Sequence, residues 1–130
     1  MKIAVVGSRT IFDDELVIKF MLECHEFDTE YDTIISGGAR GVDYIAEKFA
    51  LEHRIKTKIF KPQWDKYGKQ AGFIRNADII GSCDKCICIW DGESLGTKND
   101  IELCQQMSKP CYILNTKTGR KTIPEPTLFD

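Results

Sequence analysis

Short apolar runs alternate with stretches of helical periodicity along this chain, and that alternation limits the folds open to it. Lys2–Val6, Thr33–Ile35, Thr57–Phe60, Lys85–Trp90 and Pro110–Leu114 read as five strands, the first apolar at successive positions like a strand buried on both faces. Between them lie helical stripes. Asp13 and Asp14 start one that carries Leu16, Val17, Phe20, Met21 and Cys24, and a second from about Val42 carries Ile45, Ala46, Phe49 and Ala50. Two more helices are predicted over Phe73–Gly81 and Thr97–Met107. Such an order predicts an α/β fold: a doubly wound, mostly parallel five-stranded sheet with helices on both faces, three layers joined by right-handed crossovers. Gln63–Gly72 reads as a loop with aromatic and basic members. Residues 116–130, with Pro124 and Pro126, read as an extended C-terminal tail after a domain spanning residues 1–115.

At 130 residues the chain is read as one compact domain, too small for separate cofactor and substrate domains. A site for a larger ligand is therefore expected to recruit a second subunit. No apolar run has the length of a membrane span, and Met1–Gly7 is too short for a signal peptide, so a cytoplasmic protein without membrane contact is expected. Six cysteines are expected to remain thiols, several of them at core positions. Cys83 and Cys86 have the spacing of a metal or redox pair, but no second such pair accompanies them and neither histidine lies close by. No metal and no cofactor are expected. His25 and His53 fall on helices with no evident partner and are assigned to surface or core packing.

Charge is distributed unevenly. From Arg54 to Arg75 seven basic residues face the single acidic Asp65, whereas the whole chain carries a net −2. A local basic stretch in an acidic protein fits a focused anion site better than a broad nucleic-acid surface, although solvated lysines give the same pattern.

In sheets of this kind ligands gather outside the carboxyl ends of the strands, where strand order reverses. Gly7-Ser8-Arg9, Ser36-Gly37-Gly38-Ala39-Arg40-Gly41-Val42-Asp43 and Asp91-Gly92-Glu93-Ser94-Leu95-Gly96-Thr97 all follow predicted strands, so one crevice can collect the three loops. The last two loops open helices, whose unpaired N–H groups and positive ends attract anions such as phosphate. The Gly37–Gly41 loop is not the dinucleotide fingerprint, since it follows the second strand with Gly-Gly-x-x-Gly spacing, and it is not a P-loop, since Gly68-Lys69-Gln70 lacks the hydroxyl residue and the upstream glycine. Asp43 either favours the dipole of its own helix or binds a ribose hydroxyl. Thr97 and Asp100 have the offset of a capping box, and equally suit a phosphate contact from Thr97 with Asp100 facing a sugar. Arg75 can grip phosphate bidentately and Asn76 can add a donor. Trp64 and Tyr67 either stack on a base or pin their loop to the core.

Taken together and in order, Gly7-Ser8-Arg9, Ser36–Asp43, Arg75-Asn76 and Asp91–Thr97 resemble the YspA-like branch of the SLOG (SMF/DprA-LOG) superfamily over roughly residues 1 to 115. The resemblance implies a Rossmann-like sheet and a homodimer. It also implies three functional classes. The LOG enzymes are phosphoribohydrolases of cytokinin nucleotides, and by position Arg75 and Asp100 fall at their catalytic arginine and glutamate, although Asp91-Gly92-Glu93-Ser94-Leu95 replaces their Pro-Gly-Gly run. DprA-like members share the Ser-Gly-x-Ala-x-Gly-x-Asp loop and bind single-stranded DNA. Others sense nucleotide-derived signals. The expectation carried forward is a module that binds a nucleotide-like small molecule, with Arg9, Arg40 and Arg75 as counter-charges. The alternative is hydrolysis of a nucleoside monophosphate, with Glu93 assisting Asp100. Nucleic acid is not expected as a partner of an acidic chain.

Overall fold

The computed structural model describes residues 1–124. Its elements run β1 (Lys2–Gly7), α1 (Asp14–Cys24), β2 (Thr33–Ser36), α2 (Val42–Glu52), β3 (Lys56–Ile59), α3 (Trp64–Tyr67), a 3-10 turn (Gly68–Gln70), α4 (Ala71–Ser82), β4 (Lys85–Trp90), α5 (Leu95–Gln106), β5 (Cys111–Asn115) and β6 (Lys121–Thr122). All six strands form one sheet in the order β3-β2-β1-β4-β5-β6. The first five strands of the chain are parallel and β6 is antiparallel to β5. This is a mostly parallel, Rossmann-like order, which reverses between β1 and β4.

β1 explains why the sheet is centred where it is. Ile3, Ala4, Val5 and Val6 are almost wholly buried, and alternate residues enter two different cores. Ile3 and Val5 join Val17, Phe20 and Met21 of α1 and Ile45, Ala46 and Phe49 of α2. Ala4 and Val6 join Ile79 and Ile80 of α4, Cys104 of α5, and Cys86 and Cys88 of β4. At the other extreme, β3 is an edge strand whose four residues are all exposed, and Lys56 and Lys58 discourage further strand pairing there.

Three expectations are corrected. The sheet has six strands, not five, because part of the anticipated tail turns back on β5. Asn115 Oδ1 accepts from the N–H groups of Lys117 and Thr118, and Gly119 N–H donates to Asn115 O at 2.8 Å. Both residues of β6 are exposed, so hydrophobic periodicity leaves no trace of it. Residues 125–130 of the anticipated tail lie outside the described residues. The stretch read as a loop over Gln63–Gly72 instead winds into α3, the 3-10 turn and the start of α4. The N–H groups of Lys66 and Tyr67 both donate to Gln63 O, but α3 buries no residue, so no apolar stripe announces it. Finally, His25 has a partner: its Nε2 lies 2.8 Å from Asp32, which also pairs with the N-terminal ammonium. Burial alone would raise the Asp32 carboxyl, yet the Asp28 N–H, His25 and that ammonium hold it below its usual range.

Candidate functional site

The loops after β1, β2 and β4 meet as the topology requires, but much of their polar chemistry is spent on one another. Ser8 is the hub. Its Oγ accepts from Asp91 N–H at 3.0 Å, and its carbonyl accepts from the N–H groups of Ile11 and Val42. Gly7 is glycine for packing, since a Cβ there would strike the Ile89 carbonyl and the Val42 side chain.

The loop after β2 holds its own anion. Asp43 Oδ2 accepts from Gly37 N–H at 3.2 Å and Ala39 N–H at 3.3 Å, and Gly38 N–H donates to Ser36 Oγ. Ser36 in turn donates to Glu47 Oε1 at 2.8 Å. Asp43 is therefore the internal brace of this loop, a third role beside the two read from sequence. Burial pushes its carboxyl up to about 6, against the pull of the Ala39 N–H, the Arg75 charge and the Gly37 N–H. Gly37 leaves room for Arg75, whose Nη1 donates to the Gly37 carbonyl; a Cβ would stand 2.6 Å from that nitrogen.

In the loop after β4, Asp91 Oδ1 accepts from the N–H groups of Glu93 and Ser94, both at 2.8 Å, while Thr10 donates to Oδ2. Gly92 sits at the tip of that turn with positive φ. Ser94, not Thr97, caps α5: the Thr97 N–H and hydroxyl both donate to Ser94 Oγ. That capping corrects the predicted start of α5 by two residues and removes the capping-box reading of Thr97 and Asp100. Ser94→Ala is expected to lower stability by about 1 kcal/mol, read as a shift in the urea midpoint.

What remains is a crevice of about 390 Å³ lined by Gly7, Arg9, Ala39, Asp43, Arg75, Asn76, Asp91, Ser94, Gly96, Thr97 and Asp100, with Thr10 and Ile79. An adjoining hollow of about 380 Å³ shares Arg9, Ala39 and Arg75 and adds Gly37, Gly38, Arg40 and Trp64. Ser8, Ser36, Gly41 and Gly92 stand behind these walls as loop supports. Glu93 points away, exposed and paired with Lys117 at 3.2 Å. Sequence reasoning missed Thr10 and Asn99; Asn99 accepts from Asn76 Nδ2 at 3.1 Å and so ties α4 to α5.

The electrostatics are unusual for so small a space. Arg9 and Arg75 border the crevice and Arg40 the adjoining hollow, and none has a carboxylate within 4.0 Å among the described residues. Asp100 is buried in the crevice wall, and its Oδ1 has no hydrogen-bond partner among the described residues. Burial first, and repulsion from Asp43 second, raise its carboxyl well above the usual range, with Arg75 pulling the other way. Among the described residues, the one grouping of three metal-ligating side chains lies outside the crevice, at Cys86, Cys104 and Cys111.

Residues 1–67, which include the Gly7-Ser8-Arg9 and Ser36–Asp43 loops, match the YspA, cpYpsA-related SLOG family. The chain belongs to this SLOG family. Arg75, Asp100 and the loop after β4 lie beyond the matched residues. The gene 61 protein of Mycobacterium phage D29 is 27% identical to this SLOG chain over 116 residues, 84% of the chain and 92% of the phage protein. Among solved structures, DNA processing protein A of Helicobacter pylori superposes with a TM-score of 0.68 at 24% identity, over 89% of this chain. DNA processing protein A of Streptococcus pneumoniae gives 0.66 at 21% identity, over 98% of this chain. This SLOG chain spans 66% and 51% of their respective lengths, and at such identities the likeness speaks to the fold. The Helicobacter pylori protein binds single-stranded DNA. The expectation that nucleic acid is no partner of this SLOG chain draws no support from these likenesses. No helix among the described residues is long and apolar enough to cross a membrane.

Proposed function

We propose that this protein binds a nucleotide or nucleotide-derived small molecule in the crevice outside β1 and β4, as a sensor or a sequestering module. The observation that carries the reading is a cavity of nucleotide size bordered by Arg9 and Arg75, with Arg40 in the adjoining hollow, none of them with a carboxylate partner among the described residues. Phosphate sits at the amino end of α5, near Gly96 and Thr97, with Arg9 and Arg75 as its counter-charges. It does not sit on the N–H groups of Gly37 and Ala39, which Asp43 already occupies. Asp43, Asp91 and Asn76 hold the walls, Trp64 offers an exposed ring for a base, and Asp100 accepts or donates one hydrogen bond to the sugar. A second copy of the chain closes the open side of the crevice.

The test is a thermal-shift panel of mono-, di- and cyclic nucleotides and ADP-ribose. At least one is expected to raise Tm, and Arg75→Ala is expected to weaken its binding by about 10- to 100-fold, the worth of a charge-assisted hydrogen bond. Gly96→Val adds a second arm, because a Cβ at Gly96 meets open space and obstructs only an incoming ligand. A Tm unmoved by every member of the panel sinks the proposal.

Two observations favour other readings, and the same protein tests them. Asp100, a buried carboxyl with a free oxygen within electrostatic reach of Arg75, suits a general acid in N-glycosidic cleavage of a nucleoside monophosphate. Release of free base that Asp100→Ala abolishes would establish that activity. Single-stranded nucleic acid is favoured by the shared fold with a DNA-binding protein and by the exposed rings of Trp64 and Tyr67 beside Lys61, Lys66 and Lys69. Oligonucleotide affinity that falls steeply with salt would replace the small-molecule reading.

A further inference from the structure

Five of the six cysteines gather in the second core, on the side of the sheet covered by α4 and α5, and three of them form a tighter set. Cys86 of β4 and Cys111 of β5 are register partners on adjacent parallel strands, so their side chains leave the same face of the sheet. Cys104 meets them from α5. All three Sγ atoms lie within 4.8 Å of one another. Three sulfurs bound to one ion at about 2.3 Å stand about 4 Å apart, so closing the set takes less than about 1 Å of movement.

We propose that Cys86, Cys104 and Cys111 form a three-thiolate site for a soft d10 cation, with Cu(I) as its occupant. The donor set decides the class: sulfur alone, with no imidazole or carboxylate in the grouping. Soft thiolates select Cu(I) and Zn(II), but structural Zn(II) takes four ligands whereas this set supplies three. A route in is present. A hollow of about 250 Å³ opens onto Cys104 and Cys111, with Lys109, Ile113 and Ile123 around it. The Lys109 ammonium, which donates to the Cys83 carbonyl at 2.7 Å, places a positive charge beside a centre whose thiolates outnumber the charge of the ion. Cys-x-x-Cys spacing pointed to Cys83 as the partner of Cys86, but the Cys83 thiol instead donates to Ile80 O at 3.3 Å.

The experiment is an anaerobic titration of the reduced full chain with Cu(I) against a chromophoric chelator, and in parallel with Zn(II). One equivalent of Cu(I) per chain is expected, held more tightly than Zn(II). Changes outside a metal's ligand shell cost about 10- to 100-fold, so Cys111→Ser, which loses a half-buried ligand, is expected to cost at least about 100-fold. Cys24→Ser, in the other core, is expected to change nothing. X-ray absorption of the unmutated Cu(I) protein reads the site without any variant: a shell of three sulfurs supports it. A shell containing nitrogen or oxygen, Zn(II) held above Cu(I), or an affinity indifferent to Cys111→Ser overturns it.

Discussion

Gly41→Val is expected to lower stability by about 2–6 kcal/mol, whereas Gly96→Ala is expected to leave it slightly higher. The two glycines belong to loops that look alike in sequence, and their surroundings set them apart. Gly41 caps α2 with φ +77°, and a Cβ there would stand 2.5 Å from the Ser8 carbonyl oxygen and 2.8 Å from Arg9 Cα. Those backbone atoms cannot withdraw, because the same carbonyl accepts from Ile11 and Val42 and Ser8 is buried. Positive φ in a β-branched residue costs about 1–3 kcal/mol, and overpacking against a fixed wall about 1–3 more. Against a typical total of about 5–15 kcal/mol, the sum is a large fraction of the stability. Gly96 lies in the first turn of α5, with no atom within 4 Å of its would-be Cβ. Alanine there relieves unfolded-chain entropy worth about 0.4–1 kcal/mol. Urea melts followed by circular dichroism read both variants. A Gly41→Val midpoint equal to the parent's would mean that the loops after β1 and β2 do not touch.

That contrast marks the boundary of what the residues disclose in order. The β1 run, the stripes of α1 and α2 and the place of the loops at strand ends follow from local periodicity, and the sheet built from them agrees. Arg75, Asn76, Thr97 and Asp100 were picked out by type and spacing, and the topology brings all four to one crevice. What stayed hidden depends on tertiary partners. Asp43 looks like a ligand residue until Gly37 and Ala39 fold over it. The thiol grouping needs the register of β4 on β5, which sets Cys111 beside Cys86 across 25 residues of chain. Edge elements such as β6 and α3 bury nothing, so no hydrophobic signal exists for them to leave.

Asp100→Asn is expected to stabilise the ligand-free protein at pH 8 and to make little difference at pH 4. The sign follows from linkage. Burial and the neighbouring Asp43 raise the Asp100 carboxyl in the folded state, so the folded chain binds that proton more tightly than the unfolded chain does. The stabilisation is complete below the unfolded value, about 3.9, and is lost as pH rises through the folded one. Asp43 behaves alike, and its rise from 3.8 to about 6 sets the scale. That is about 3 kcal/mol lost, most of it between about pH 4 and pH 6. Asparagine keeps the shape of Asp100 and cannot ionise. The gain of Asp100→Asn over the parent is therefore expected to grow from pH 4 to pH 8, measured as the difference between their denaturant midpoints across that range. A difference that does not change with pH would mean that the Asp100 carboxyl is not raised in the folded protein. The variant also separates a structural from a functional carboxyl. A buried group that weakens the free protein and merely fills space leaves nucleotide affinity unchanged when replaced. One that accepts a hydrogen bond from the ligand as a carboxylate loses its charge on replacement, and the asparagine carbonyl accepts more weakly, so the replacement raises Tm and lowers affinity together. With Oδ1 unpartnered among the described residues, in the wall of a crevice bordered by Arg9 and Arg75, the second pattern is the expected one.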